Sequence, residues 1–256
     1  MTIGALIIGD EILSGKRQDR HLAHVIETLA MRGLTLDYAH YVGDDRERLT
    51  AFLRESFTRG DWLVSFGGIG ATPDDHTRQA AAAALGVPLV RHPEALAEIE
   101  ARFGSEAYPH RVLMADFPQG ATMIPNPVNR VAAFSVRDHH FLPGFPQMAW
   151  PMLDWVLGTR YPSLRAEPSV ERALVVYDVG ESQLLPLMEE NVARYPQVKL
   201  FSLPSHLPDG GRRLELGVRG ARRDVEPAFA HLQEGVRASG IRFELLSAAA
   251  GRHAGP

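Results

Sequence analysis

One stretch, residues 61–77, constrains the fold of this chain more than any other: it reads DWLVSFGGIGATPDDHT. Trp62–Phe66 has the length and the apolar residue types of a buried β-strand. The residues that follow it are rich in glycine, at Gly67, Gly68 and Gly70. Glycine allows a sharp backbone turn and lets N–H groups come close to a ligand. The stretch therefore predicts a strand that runs into a ligand-binding loop.

Polar residues come directly after this glycine loop. Thr72 and Pro73 have the residue types of a helix N-cap and a first helical residue, so the loop is predicted to end at a helix N-terminus, which suits phosphate. Asp74 and Asp75 follow, with Thr77 close behind. Carboxylates repel a bare phosphate, so a divalent cation such as Mg²⁺ is expected between them. The alternative is that the two aspartates only complement the helix dipole.

Composition bounds the class of protein. The chain has 256 residues, 45% hydrophobic and 23% charged, which is ordinary for a globular chain with ample material for a core. The net charge of −4 gives no sign of a nucleic-acid partner or an anionic membrane. Cysteine is absent, which excludes disulfides, thiolate metal sites and a cysteine nucleophile. No signal peptide and no apolar span of about 20 residues is present, so we expect a cytoplasmic protein without membrane contact.

Strand and helix patterns alternate along the first part of the chain. Apolar runs at residues 2–8 and 34–42 precede the strand at Trp62–Phe66, and amphipathic helical patterns lie between them. This alternation predicts an α/β fold with a mostly parallel sheet and helices on both faces. Parallel sheets bind ligands beyond the carboxyl ends of their strands, so the loops after the first and third strands should share one rim. A common metal–phosphate site is therefore expected, with Asp44 nearby; its acidic residues are Asp10, Glu11, Asp74 and Asp75.

The rest of the chain predicts a helical segment at 111–117 and a β-ribbon with Asp138 and His139 in its turn. Residues 1–158 form the first predicted domain, and residues 159–169 are expected to be a linker because they carry two prolines without periodicity. Residues 170–246 show the order β-α-β-β-α-β, which predicts a small α+β split βαβ domain. Residues 247–256 are expected to be a frayed tail.

Several motifs of the first domain occur together in a known order. They are GDEILSGK at 9–16, VGDD at 42–45, GGIGATPDDHTRQA at 67–80, NPV at 126–128 and LPGFPQM at 142–148. The domain resembles the MoaB/Mog-type molybdopterin-binding domain in the version found at the front of CinA-like (competence/damage-inducible) proteins. The second domain, with GESQL at 180–184, is similar to the small middle domain of those proteins. The chain is too short to hold the additional deamidase domain that many of them carry.

The resemblance implies a three-layer α/β/α fold, a homo-oligomer and a phosphate-bearing ligand, which is molybdopterin or a nucleotide. Some relatives are Mg²⁺-dependent pyrophosphatases that cleave ADP-ribose-like or FAD-like diphosphates, so turnover is the alternative to binding alone. The resemblance implies that five residues bind the phosphate: Gly67, Gly68, Gly70, Thr72 and Thr77. Pro143 and Gly144 are expected to line the pocket. The metal is expected on Asp10, Glu11, Asp74 and Asp75, with Asp74 and Asp75 also as the catalytic residues.

Two departures from the family bear on the ligand and on turnover. His21 stands where the family usually has asparagine. The family's NPVGTAPG becomes NPVNRVAA over residues 126–133, which removes a glycine pair and introduces Arg130. A lost glycine can block close backbone approach to a ligand, so the ligand differs or catalysis is gone while binding persists.

Other sites are weaker in this sequence. His21 and His24 have the spacing of half a zinc site, but surface polar residues are the favoured interpretation. His139 and His140 are expected in a turn. No G-x-S-x-G motif of a serine hydrolase is present. The arginines at 212, 213, 219, 222 and 223 lack an accompanying aromatic platform or G-x-x-G loop, so a solvated face is expected rather than a nucleic-acid site.

Overall fold

The computed structural model describes residues 1–207 and 210–246. The chain forms two compact units, Met1–Ala166 and the residues from Glu167 onward. Their boundary lies within the predicted linker at 159–169, although Tyr161 and Leu164 of that segment pack against the core of the first unit. The predicted tail at 247–256 lies outside the described residues.

The first unit contains strands and helices in alternation. Its strands are β1 Ile3–Ile8, β2 Tyr38–Val42, β3 Trp62–Phe66, β4 Leu89–Arg91, β5 Asp116–Pro118, β6 Thr122–Ile124, β7 Ala133–Val136 and β8 His139–Leu142. Its α-helices are α1 Asp10–Leu13, α2 His21–Ala30, α3 Arg46–Arg59, α4 Thr77–Leu85, α5 Pro93–Phe103 and α6 Pro146–Trp155. Short 3₁₀ segments lie at Gly104–Ala107 and Arg111–Ala115, and a π-helical turn at Val156–Arg160 follows α6.

Six of these strands form the central sheet, in the order β2-β1-β3-β8-β7-β6. The first four strands of that order are parallel, and the hairpins β6–β7 and β7–β8 are antiparallel. The predicted α/β fold with a mostly parallel sheet is confirmed. Strands β4 and β5 pair separately as a small antiparallel sheet.

The central strands are apolar on both faces because helices cover both faces. Every residue of β1 and β3 is buried. Helices α3 and α4 pack together, while α2 contacts β1 and α6 contacts β8. Right-handed crossovers from β1 to β2 and back to β3 place α2 and α3 on opposite faces of the sheet. The result is the predicted three-layer arrangement, with one rim formed by the carboxyl ends of the parallel strands.

Several local predictions were wrong. The segment predicted as helical at 111–117 is a 3₁₀ turn that continues into β5. The turn of the β-ribbon is formed by Arg137 and Asp138, while His139 and His140 lie in β8 and are buried. Their side chains contact two serines: Ser56 Oγ lies 2.9 Å from His139 Nε2, and Ser135 Oγ lies 2.8 Å from His140 Nδ1.

The second unit is a small α+β fold, as predicted. Its strands are β9 Val170–Tyr177, β10 Lys199–His206, β11 Arg212–Gly220 and β12 Phe243–Leu245, and its helices are α7 Glu181–Arg194 and α8 Arg222–Ala238. The sheet is antiparallel, in the order β10-β11-β9-β12. Both helices bury an apolar side that includes Leu184, Met188, Val225 and Leu232. Within the described ranges, no helix has the length and apolar character needed to cross a membrane.

Candidate functional site

A large cavity of the first unit opens at the carboxyl ends of the parallel strands. It has a volume of about 880 Å³ and is lined by residues of the loops after β1, β2, β3 and β8. Ligands of open α/β sheets bind at this edge, so the cavity lies where the topology predicts a site. Pro143 and Gly144, which the resemblance places in the pocket, lie in its wall.

The glycine loop after β3 requires its glycines for steric reasons. Gly67 and Gly68 have φ angles of 104° and 67°, a region that other residues rarely adopt. A Cβ on Gly67 would lie 2.5 Å from the carbonyl oxygen of Ile8. The loop after β8 approaches the same point, because a Cβ on Gly144 would lie 3.5 Å from the Cα of Gly67.

Consecutive N–H groups of this loop lack an acceptor. Gly67 N donates to the carbonyl oxygen of Leu142 at 3.0 Å, and Thr72 N donates to Asp75 Oδ2 at 2.9 Å. Between them, no described residue accepts a hydrogen bond from the N–H groups of Gly68, Ile69, Gly70 and Ala71. These residues line the cavity. A run of free amides in a glycine-rich turn forms a concave site for an anion.

Thr72 and Asp75 close a turn instead of starting a helix, which corrects the predicted N-cap. The N–H and hydroxyl of Thr72 donate to Asp75 Oδ2 at 2.9 and 2.5 Å. Helix α4 begins only at Thr77. Asp75 packs so closely that a Cβ on Gly70 would lie 2.4 Å from its Oδ2. This carboxylate therefore fixes the shape of the glycine loop as well as lying in the cavity wall.

Thr77 and Arg78 support the loop from behind. The Thr77 hydroxyl donates to the Gly67 carbonyl oxygen and its N–H donates to the Gly68 carbonyl oxygen, both at 3.0 Å. Thr77, expected to contact phosphate, is fully buried and does not line the cavity. The buried guanidinium of Arg78, which sequence reasoning missed, donates to the carbonyl oxygens of Gly70 and Leu113. Burial lowers the pKa of Arg78.

Acidic side chains meet where the loops after β1 and β2 join the rim. The N–H of Asp10 donates to Asp44 Oδ2 at 3.0 Å, and the N–H of Asp44 donates to Asp10 Oδ1 at 3.3 Å. Burial raises the pKa of Asp44, and the negative charges of Asp10, Glu11 and Asp74 raise it further. Glu11, Asp44 and Asp74 line the cavity, whereas Asp10 does not.

This arrangement fits Mg²⁺ only as part of a ligand complex. Among the residues that the structure describes, no group of three or more histidine, cysteine or acidic side chains is placed to hold a metal ion. The predicted set of four carboxylates is thus not assembled as a ready metal site, since Asp75 is held by Thr72. Mg²⁺ usually takes one or two carboxylates together with phosphate oxygens and water. The carboxylates of Glu11, Asp44 and Asp74 can supply the protein's share of these oxygens.

His21 is a buried residue of the site, which corrects the interpretation of it as a surface residue. It begins α2, where Asp19 accepts hydrogen bonds from the N–H groups of His21 and Leu22. Its ring has 5% exposure, stacks on Phe66 and places Nε2 3.2 Å from the carbonyl oxygen of Gly144. Burial lowers its pKa. The sequence signal that could have located it is Asp19, which has the position of a helix cap.

The altered segment at 126–133 lies at the far side of the cavity. Asn126, Asn129 and Val131 line the cavity. Arg130 adopts a φ of 62° and points away, where its guanidinium pairs with Glu98 at 2.6 Å. The arginine that the sequence brings into this segment therefore does not enter the site.

The chain matches known proteins over most of its length. Residues 4–166 match the family described as "Probable molybdopterin binding domain". A CinA-like protein of Citrifermentans bemidjiense is 34% identical over 78% of this chain and 50% of its own length. A CinA-like protein of an Anaeromyxobacter species is 32% identical over 86% of this chain and 59% of its own length. The chain thus spans about half the length of these curated relatives.

A solved structure supports the same grouping. The crystal structure of CinA from Thermoplasma acidophilum, described as a protein of unknown function, is 28% identical, with a TM-score of 0.57. The match covers 62% of this chain and 98% of that one. The parallel sheet, the glycine loop and these matches lead to one conclusion: the chain belongs to the molybdopterin-binding domain family, as a CinA-like protein with a MoaB/Mog-type domain.

Proposed function

We propose that the cavity binds a phosphate-bearing pterin or nucleotide, with its phosphate on the glycine loop. The observation that carries the proposal is the run of amides from Gly68 to Ala71, which donate to no described residue and line the cavity. Several N–H groups converging on one point stabilise an anion strongly when water is partly excluded. The family description supports a pterin as the ligand class.

Mg²⁺ would accompany the phosphate. Glu11 and Asp74 lie in the same wall as the glycine loop, and Asp44 already has a raised pKa because of burial and neighbouring carboxylates. A divalent cation held by these carboxylates would relieve that repulsion and offset the negative charge of the phosphate. We therefore expect ligand affinity to depend on Mg²⁺, through Glu11, Asp44 and Asp74. Asp75 would hold the loop through Oδ2 and add its negative charge beside the cation.

The second candidate function is hydrolysis of a nucleotide diphosphate such as ADP-ribose or FAD. The acidic cluster favours it, because carboxylates beside a diphosphate site can hold the metal and accept a proton from water. When bound, Mg²⁺ would neutralise charge that develops on the bridging oxygen. The glycine-loop amides would stabilise the same charge. Asp74 and Asp75 are the side chains proposed for the proton transfer.

Two measurements on the full chain separate these functions. Calorimetric titration with inorganic pyrophosphate in the presence and absence of Mg²⁺ tests binding; no heat under either condition would contradict the proposal. Incubation with ADP-ribose or FAD and Mg²⁺, Mn²⁺ or Co²⁺ tests turnover by the release of AMP. Retained binding without AMP release would leave the binding function and exclude the hydrolase.

A further inference from the structure

The cavity has a second end that differs chemically from the glycine loop. Val131 and Met148 line it there beside Asn129, and Phe103 and Met114 also lie in the cavity wall. Val131 comes just before β7, and the sheet order places β7 two strands from β3, which the glycine loop follows. Neighbouring strands are about 4.8 Å apart, so the two ends are separated by roughly 10 Å. A phosphate or diphosphate group alone does not span that distance, so a ligand that fills the cavity carries an apolar or aromatic portion.

One polar side chain at this second end has a fixed orientation. Asn129 Oδ1 accepts hydrogen bonds from Asn126 Nδ2 at 2.7 Å and from Val131 N at 3.0 Å. Only the carbonyl oxygen of an amide can accept, so these two bonds determine which way the side chain faces. The amide nitrogen of Asn129 must then point away from the loop. It donates to Met148 Sδ at 3.0 Å.

The nitrogen of Asn129 is poorly satisfied by that contact. A thioether is a weak acceptor, and the amide nitrogen has a second hydrogen for which no described residue supplies an acceptor. Both Asn129 and Met148 line the cavity. A fixed donor beside a polarisable sulfur is suited to the edge of a flat ring, because sulfur packs well against aromatic rings.

We infer that Asn129 recognises the ring of the ligand, donating from Nδ2 to a carbonyl oxygen or an unprotonated ring nitrogen of a bicyclic heterocycle. This inference rests on the proposed function, since it assigns the other half of the same ligand. It makes Asn129 a specificity-determining residue, whereas the glycine loop binds whatever carries the phosphate. Guanine and pterin rings both present such acceptors, so GDP is a suitable probe and inorganic pyrophosphate is the matched probe without a ring.

The test is calorimetric titration of the full chain with GDP and with pyrophosphate, each with Mg²⁺. Asn129→Asp keeps the oxygen that accepts from Asn126 and Val131 but replaces the donor with an oxygen. We expect this variant to lose at least about tenfold in GDP affinity, while pyrophosphate affinity stays within about twofold. Asn129→Ala is the second variant, with the same expected pattern, because it removes the donor without adding a charge.

Arg130→Gly is the matched control in the same loop. Arg130 has a positive φ that suits glycine, pairs with Glu98 and does not line the cavity, so GDP affinity should match the unmodified chain. Equal losses in Arg130→Gly and Asn129→Asp would overturn the inference, because they would indicate loop packing. Unchanged GDP affinity in both Asn129 variants, or equal losses for GDP and pyrophosphate, would overturn it too. Failure of the unmodified chain to bind either probe would instead overturn the proposed function.

Discussion

The imidazole of His21 stacks on the ring of Phe66, with 4.2 Å between ring centroids and 19° between the ring planes. Phe66 is the last residue of β3, directly before the glycine loop. The same ring also contacts the loop after β8: His21 Nε2 lies 3.2 Å from the carbonyl oxygen of Gly144. That oxygen only accepts, so Nε2 carries the hydrogen. One neutral side chain thus connects α2 to both loops that border the anion site.

Replacement of His21 by alanine should weaken both the fold and the site. The variant loses a buried aromatic contact and a hydrogen bond, so we expect the free energy of unfolding to fall by about 2–3 kcal/mol. Urea denaturation measures this loss. Pyrophosphate affinity should fall as well, because Gly144 is no longer held beside Gly67.

His21→Phe separates the two effects. Phenylalanine keeps the stack on Phe66 but cannot donate to Gly144, so stability should fall by only about 1 kcal/mol while the loss of pyrophosphate affinity remains. If His21→Phe binds pyrophosphate as tightly as the unmodified chain, the hydrogen bond to Gly144 does not position the site.

A methyl group at Gly70 should disturb the anion site without unfolding the chain. The added Cβ would lie 2.4 Å from Asp75 Oδ2 and would displace the carboxylate that shapes the loop. We expect Gly70→Ala to lower pyrophosphate affinity at least about tenfold, as measured by calorimetry. Gly158→Ala is the control, since a Cβ there meets no atom within 4 Å. Equal affinities in the two variants would show that the loop geometry does not matter for binding.

The charge of Asp75 should matter for metal-dependent binding. Asparagine can still accept the hydrogen bonds from Thr72, so Asp75→Asn removes the charge while the turn is retained. We expect Mg²⁺-dependent pyrophosphate affinity to fall by at least about 1.4 kcal/mol, a tenfold effect. Asp45→Asn is the control, because Asp45 caps α3 outside the cavity and asparagine caps equally well. A normal affinity in Asp75→Asn would count against this role.

Stability should fall on mild acidification because of two histidines in β8. Burial lowers the pKa of His139 to about 4 and that of His140 to about 3, whereas both titrate near 6.5 in the unfolded chain. The unfolded state therefore binds more protons, and the stabilisation present above pH 6.5 is lost as the pH falls towards 4 and 3. Between pH 7 and pH 5 each histidine should cost about 2 kcal/mol of unfolding free energy.

Urea denaturation at several pH values tests this dependence. His140→Gln removes one titrating group, so its unfolding free energy should fall by about 2 kcal/mol less than that of the unmodified chain over the same range. A parallel pH dependence in the variant and the unmodified chain would mean that His140 is not the group that titrates.

The sequence predicts the sheet and the glycine loop at its rim well, because apolar runs and glycines act locally. The apolar run at Trp62–Phe66 predicted β3, and the glycines after it predicted the loop that follows. The predicted helix start at Thr72 was wrong because the hydrogen bonds between the side chains of Thr72 and Asp75 close a turn before α4 begins at Thr77. Local preference alone does not decide between a cap and a turn.

Long-range contacts account for the residues that were misplaced. His139 and His140 have polar side chains, yet both are buried, each with one ring nitrogen against a serine: Ser56 of α3 and Ser135 of β7. Arg78 is buried because it bonds carbonyl oxygens of two distant loops. Ser56 is distant from His139 in the chain, as Leu113 is from Arg78, so neither periodicity nor composition reveals these contacts.

The most direct test of the anion site is backbone amide NMR of the full chain during titration with pyrophosphate and Mg²⁺. We expect the amide signals of four residues to shift most, and to shift downfield, because their N–H groups gain an acceptor: Gly68, Ile69, Gly70 and Ala71. Saturable shifts that leave these four signals in place, or that concentrate in the second unit, would contradict it.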